Sequence, residues 1–208
     1  MFGIHNFTLF LVAGIVLNLT PGPDTAYILG RSIAQGRDAG VASALGIGVG
    51  SILHTCAAAL GLSAILATSA FAFGAIKLLG GAYLIFLGIK MLLDRGKHLS
   101  LQSDFRRRTT LAAFRQGIFT NMLNPKVALF FLAFLPQFID PLSTTKVMAF
   151  VALGLTFVTT GTIWCLILAW FASAWSERLR QSRVLQQSLS RAAGALFVVL
   201  GLRVAAAK

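Results

Sequence analysis

The first long apolar run of the chain is interrupted at Asn18-Leu19-Thr20-Pro21-Gly22-Pro23-Asp24, where a membrane-crossing helix has no reason to stop. The residues from Phe7 to Leu19 make about 20 Å of helix, short of a hydrocarbon core about 30 Å thick. Continued to Ile33 the run is long enough, so the sequence predicts a helix that breaks and resumes. A proline removes the amide that would serve the carbonyl four residues back. Pro21 therefore frees the carbonyl of Leu17, and Pro23 that of Leu19. Thr20 is the expected cap of the resumed half, with Pro21 at its first position. Asp24 follows at a depth where a carboxylate costs about 2.5–3.5 kcal/mol. Something must offset that cost.

Further apolar runs follow, 57% of the 208 residues are hydrophobic, and only 12% are charged. This is the pattern of an all-α membrane protein. The helices are expected near 5–33 (interrupted), 40–66, 70–93, 112–139 (interrupted), 146–174 and 186–206. No basic region precedes the first run, and Pro-Gly-Pro stands where a cleavage site would lie, so that helix is expected to be retained. The whole of 1–208 reads as one integral membrane domain. A net charge of +12 would ordinarily raise nucleic acid as a partner. Here the charges sort by connection instead. Thirteen of the eighteen basic residues, including Arg31, Arg37, Lys90, Arg106–Arg108, Arg115 and Arg191, fall in or beside the first, third and fifth connections. The positive-inside rule then puts those connections in the cytoplasm and both termini outside. Contact of Arg106–Arg108 with anionic lipid is one further use of that charge. Cys56 and Cys165 lie in separate spans without CxxC spacing and are expected to be small buried fillers.

The two halves resemble each other. Gly14, Ile15 and Asn18 recur as Gly117, Ile118 and Asn121, and the segment Gly81–Lys90 recurs as Gly194–Arg203 with four of ten residues identical. Each half holds three helices, an odd number, so the copies must run in opposite orientations. The fold expected is six transmembrane helices as two inverted three-helix repeats, about 1–93 and 112–208, joined by a basic loop over 94–111. Helix four carries the second break, Asn121-Met122-Leu123-Asn124-Pro125-Lys126, in which Pro125 frees the carbonyl of Asn121 and Asn124 caps the resumed half. Two interrupted apolar segments at corresponding places in two half-repeats point to a transport site near the midplane.

The motifs Thr20-Pro21-Gly22-Pro23, Arg31-Ser32-Ile33-Ala34-Gln35-Gly36 and Asn124-Pro125-Lys126-Val127-Ala128-Leu129-Phe130-Phe131 resemble those of the LysE/RhtB family. These are exporters of amino acids and close derivatives in the bacterial cytoplasmic membrane. The likeness covers nearly the whole chain. It implies six spans, efflux and dependence on an ion gradient.

An amino acid is a zwitterion, and a broken helix offers both polarities. The amides opening a resumed half suit a carboxylate, and the freed carbonyls of Leu17, Leu19 and Asn121 suit an ammonium. The candidate substrate-binding residues are Asn18, Thr20, Pro21, Gly22, Pro23, Asp24, Asn121, Asn124, Pro125 and Lys126. Asp24, the carboxylate within the spans, would meet the substrate ammonium, a proton, or both in alternation. Lys126 is its expected counter-ion, and a purely structural Asp24–Lys126 bridge is the competing reading. His54 lies on a small-residue face with Ala42, Gly46, Gly50 and Ala58. It is either a packing histidine or, with Asp24, a proton-coupling group. Lys77 reads as a snorkelling side chain, and Trp170 and Trp175 as interfacial aromatics. No cofactor or metal is called for, the coupling ion expected is the proton, and self-association is left open. With one carboxylate in the spans, neutral amino acids such as homoserine, threonine or branched aliphatics are favoured over lysine or arginine. An inorganic-cation exporter would want clustered carboxylate, His or Cys ligands. An intramembrane enzyme would want a nucleophile–base pair, which Ser51 near His54 does not make.

Overall fold

A computed structural model describes residues 2–68, 70–93, 109–172 and 183–206. The side chain of Lys77 and the segments holding Arg106–Arg108 and Trp175 lie outside the described residues. The first apolar run forms α1 (Phe7–Leu19) and α2 (Pro23–Gln35), which meet at a bend of 46°. Two prolines within three residues remove two amides of the ladder, which gives the bend a named cause. Thr20 does not cap the resumed half. Its hydroxyl donates back to the Val16 carbonyl at 2.6 Å, while Gly22 is the N-cap and Pro23 the first helical residue. Extended backbone at Gly22 suits a cap, and Pro23 brings a helical φ without an amide to satisfy.

A single residue, Gly36 at φ +88°, turns the chain into α3 (Arg37–Ala57). That left-handed value favours glycine. A wider π turn over Ala58–Leu62 leads into α4 (Ser63–Thr68), and α5 spans Ala70–Leu93. The second half opens with α6 (Thr110–Met122) and α7 (Pro125–Leu129), followed by a π turn over Phe130–Phe134 and a 3-10 turn over Leu135–Phe138. The bend here is 47°. Asn124 caps α7, accepting the Lys126 amide at 3.1 Å, with Pro125 at the first position. Two further helices, α8 (Lys146–Trp170) and α9 (Arg183–Ala206), follow among the described residues.

Arg37–Ile65 and Lys146–Trp170 are each long and apolar enough to cross a membrane, and each bent pair passes the same test when taken together. The two bent pairs run in opposite directions. Phe10 near the start of α1 stacks against Phe134 and meets Phe138 edge-on, both beyond α7. Near the other end, the Tyr27 hydroxyl of α2 donates to the Ala113 carbonyl of α6 at 2.7 Å. Small residues set the spacing between the remaining helices. A methyl group on Gly48 would stand 2.7 Å from Thr162 Oγ1 of α8. One on Gly117 would stand 2.6 Å from the Ser43 carbonyl of α3. Between α5 and α9, a methyl on Gly88 meets the Gly194 carbonyl at 2.6 Å, and one on Gly201 meets that of Gly81 at 2.6 Å.

Two apolar clusters flank the bends. One gathers Phe10, Leu17, Phe130, Phe134, Phe138 and Phe157; the other gathers Tyr27, Ile28, Ile47, Leu168 and Ala169. Cys165 is buried as expected, but Cys56 is exposed on the surface of α3. Trp170 is also exposed, and the Arg37 guanidinium stacks over its ring at 4.1 Å.

Candidate functional site

The two breaks face each other. Asn121, at the end of α6, is 1% exposed and ties three elements together. Its amide nitrogen donates to Asp24 Oδ2 of α2 at 2.8 Å, its Oδ1 accepts the Ser51 hydroxyl of α3 at 3.1 Å, and its main-chain oxygen lies 3.2 Å from His54 Nε2. That carbonyl is the one Pro125 frees; it accepts the Asn124 amide at 3.0 Å, and the histidine is a second neighbour from the adjoining helix. His54 also stacks on Phe131 with ring centroids 5.7 Å apart. It therefore faces the bundle interior.

The carbonyl freed by Pro21 is served from the other half. Lys126 Nζ donates to the Leu17 oxygen at 2.9 Å and to the Thr20 oxygen at 2.9 Å. This departs from the expected Asp24–Lys126 counter-ion pair. Among the described residues the two form no ion pair, because the ammonium is taken by carbonyls at the C-terminal end of α1. Those carbonyls carry the negative end of that helix's dipole. Asn18, the counterpart of Asn121, donates to Thr160 Oγ1 at 3.2 Å. Thr160 in turn donates to the Thr156 and Phe157 carbonyls of its own helix.

Asp24, Asn18, Gly22, Asn121 and Lys126 line one cavity, together with Thr25, Ile47, Gly48, Ser51, Val127, Phe157, Gly161, Thr162, Trp164 and Cys165. The other predicted residues, Thr20, Pro21, Pro23, Asn124 and Pro125, stand behind this lining and shape the two bends. The cavity offers about 30 Å³ for the centres of water molecules, where one water needs about 10–15 Å³. It has room for about two or three waters. Two buried polar atoms here, Asp24 Oδ1 and Asn124 Nδ2, have no hydrogen-bond partner, a state that costs free energy unless something fills it. The start of α2 has no side-chain cap, whereas that of α7 is closed by Asn124. Among the described residues no group of three or more His, Cys, Asp or Glu is placed to hold a metal ion.

Ser51 and Thr160 as partners of the two asparagines were not anticipated, although Ser51 shares a helix face with Gly48 and His54. Arg31 was also missed. It had been counted with the loop charges, yet it is 1% exposed. Its Nη2 donates to Gln116 Oε1 of α6, and its guanidinium lies 5.5 Å from the Tyr27 ring centroid. A hint lay in its position, inside a bent span rather than after it.

Residues 15–208 match the model of the LysE type translocator family. The chain is 29% identical over 155 residues to a leucine efflux protein of Klebsiella pneumoniae, covering 74% of this chain and 73% of that one. It is 29% identical over 205 residues to an uncharacterized membrane protein of Vibrio cholerae, covering 99% and 98%. It is 27% identical over 160 residues to a leucine efflux protein of Salmonella typhimurium, covering 74% and 73%. No solved structure matches the chain.

Proposed function

The chain belongs to the LysE type translocator family and is a membrane transporter, not an enzyme; from that premise we propose that it exports neutral amino acids, branched aliphatic ones above all, by alternating access. Homoserine and threonine types belong to the same neutral class. The observation that carries this reading is Asp24. One of its oxygens is held by Asn121, while the other is buried beside the cavity with no donor at hydrogen-bond distance, the Asn124 side chain lying nearby. An ammonium from the substrate supplies that missing partner. The carboxylate of the same molecule goes to the uncapped amides at the start of α2, where Gly22 and Thr25 line the cavity. Ile47, Val127 and Phe157 are the apolar wall for an aliphatic side chain. A second cationic group would find no further carboxylate among the described lining residues. The leucine efflux relatives favour the same class of substrate.

Alternating access follows from size. A cavity with room for about two or three waters admits an amino acid only when its walls separate, and the bends at Thr20–Gly22 and Leu123–Asn124 are where the spans can hinge. The reading takes α5 and α9, each of 24 residues, as the remaining two of six spans. The exchanged contacts Gly88–Gly194 and Gly81–Gly201 support two inverted repeats, because a two-fold relation between the halves converts one contact into the other. The basic connections orient the chain in the bacterial cytoplasmic membrane with both termini outside, and the coupling ion is the proton.

The test is efflux of radiolabelled amino acids from cells loaded with a panel, with and without Asp24→Asn. Leucine or a neutral neighbour is expected to leave faster from cells making the wild-type chain, and Asp24→Asn abolishes the gain. Full export by Asp24→Asn, or altered metal tolerance without any amino-acid phenotype, refutes the reading.

A further inference from the structure

We propose that Lys126 is a tethered cation. Its ammonium fills the carbonyl niche at the end of α1 that a coupling metal ion would otherwise need, and its loss and gain of a proton unlatch and relatch the two bent spans. The proposal deepens the proton-coupled export reading above and rests on it.

The niche is built from the Leu17 and Thr20 carbonyl oxygens, each 2.9 Å from Nζ. Backbone carbonyls converging at a helix C-terminus are the ligands a hard cation prefers. Here the chain supplies that cation itself, from the second residue of α7. The two bonds are therefore a direct tie between α1 and α7, joining one bend to the other. Both acceptors are neutral, and no carboxylate lies at ion-pair distance among the described residues. The hold therefore depends on the charge of the ammonium. Charge-assisted bonds are roughly twice as strong as neutral ones, so a neutral amine keeps the niche weakly and the bends come free.

The proton balance is simple. An Nζ–H bond breaks with its electron pair left on nitrogen, and the proton passes to water on one side. A proton from water on the other side then restores the ammonium. Each cycle of release and recapture carries one proton across. Titratable groups facing Lys126 are Asp24 from α2 and Cys165 from α8, which share its cavity, while His54 from α3 reaches the junction through the Asn121 carbonyl. Asp24 is reserved for the substrate by its unpartnered oxygen.

The experiment uses purified protein in liposomes holding leucine and a pH-sensitive dye. For the wild type, a pH gradient drives leucine movement, and replacing sodium with choline changes nothing. Lys126→Arg keeps the charge but cannot release a proton. It is expected to bind leucine, read as a rise in unfolding temperature, and to lose pH-driven flux by about tenfold or more. Lys126→Gln is expected to lose the pH drive while still exchanging leucine for leucine. Either variant retaining pH-driven flux within about twofold of wild type, or a wild type driven by sodium, overturns the proposal. Loss of leucine binding in both variants also overturns it and assigns Lys126 to substrate contact. A wild type that moves no amino acid brings down the export reading first, and this one with it.

Discussion

Asn18 and Asn121 occupy matching places in the two halves, yet their removal is predicted to cost different amounts. Asn121→Ala deletes a hydrogen bond to the Asp24 carboxylate at 2.8 Å and one from the Ser51 hydroxyl at 3.1 Å. Asn18→Ala deletes one bond, to the Thr160 hydroxyl at 3.2 Å. Hydrogen bonds to charged groups contribute about 1.5–3 kcal/mol. Neutral bonds between membrane helices average about 0.6 kcal/mol. The expected losses are therefore about 2–3.5 kcal/mol for Asn121→Ala and about 0.6 kcal/mol for Asn18→Ala. The same atoms are removed at both sites, but Asn121 is buried and Asn18 only part-buried, so the packing loss adds to the difference in the same direction. Reversible unfolding in mixed micelles, titrated with a denaturing detergent and followed by tryptophan fluorescence, measures both. Equal losses, within about 0.5 kcal/mol, would show that the Asp24–Asn121 bond is worth no more than a neutral one. Asp24 would then not be held as a charged group at the junction.

Two further outcomes are expected. Gly88→Ala and Gly201→Ala each drive a methyl group against a carbonyl of the facing helix, and each costs about 1–3 kcal/mol in the same titration. Gly74→Ala meets nothing within 4 Å and stays within about 0.5 kcal/mol of wild type; a Gly74 variant as damaged as the other two would contradict the close crossing of α5 and α9. Exchanging the charges, with Asp24→Lys and Lys126→Asp together, sets a carboxylate against the Leu17 and Thr20 oxygens and is expected to leave efflux dead. Normal efflux from the swapped chain would mean that the two residues act as an interchangeable ion pair.

Both bends were legible because proline acts locally. Pro21, Pro23 and Pro125 each remove a specific amide, and the position of the missing bond can be counted along the chain. The Asn124 cap was legible for the same reason. The cap of α2 was not, since Thr20 and Gly22 are both acceptable cap residues and the choice depends on where the Thr20 hydroxyl turns. The direct partners of Lys126 were not foreseen, because counter-ions are assigned by charge sign, whereas this ammonium bonds to carbonyls at a helix end whose negative potential comes from backbone. The burial of Arg31 and the exposure of Cys56 depend on which helix lies alongside. Periodicity along one helix carries no such information.

The two ends of the bundle differ in what they offer to water. Beyond the junction in one direction stand Phe10, Phe130, Phe134 and Phe138, ring against ring, with Phe134 and Phe138 centroids 4.7 Å apart. In the other direction stand Arg31, Gln116 and Tyr27. Parting the phenylalanines wets hydrocarbon that gives nothing back, whereas parting the guanidinium from its amide partner lets solvent replace the bond that is lost. On the proposed alternating-access reading, the two sides of the chamber part at unequal cost, one closed by hydrocarbon and the other by hydrogen bonds that water can replace.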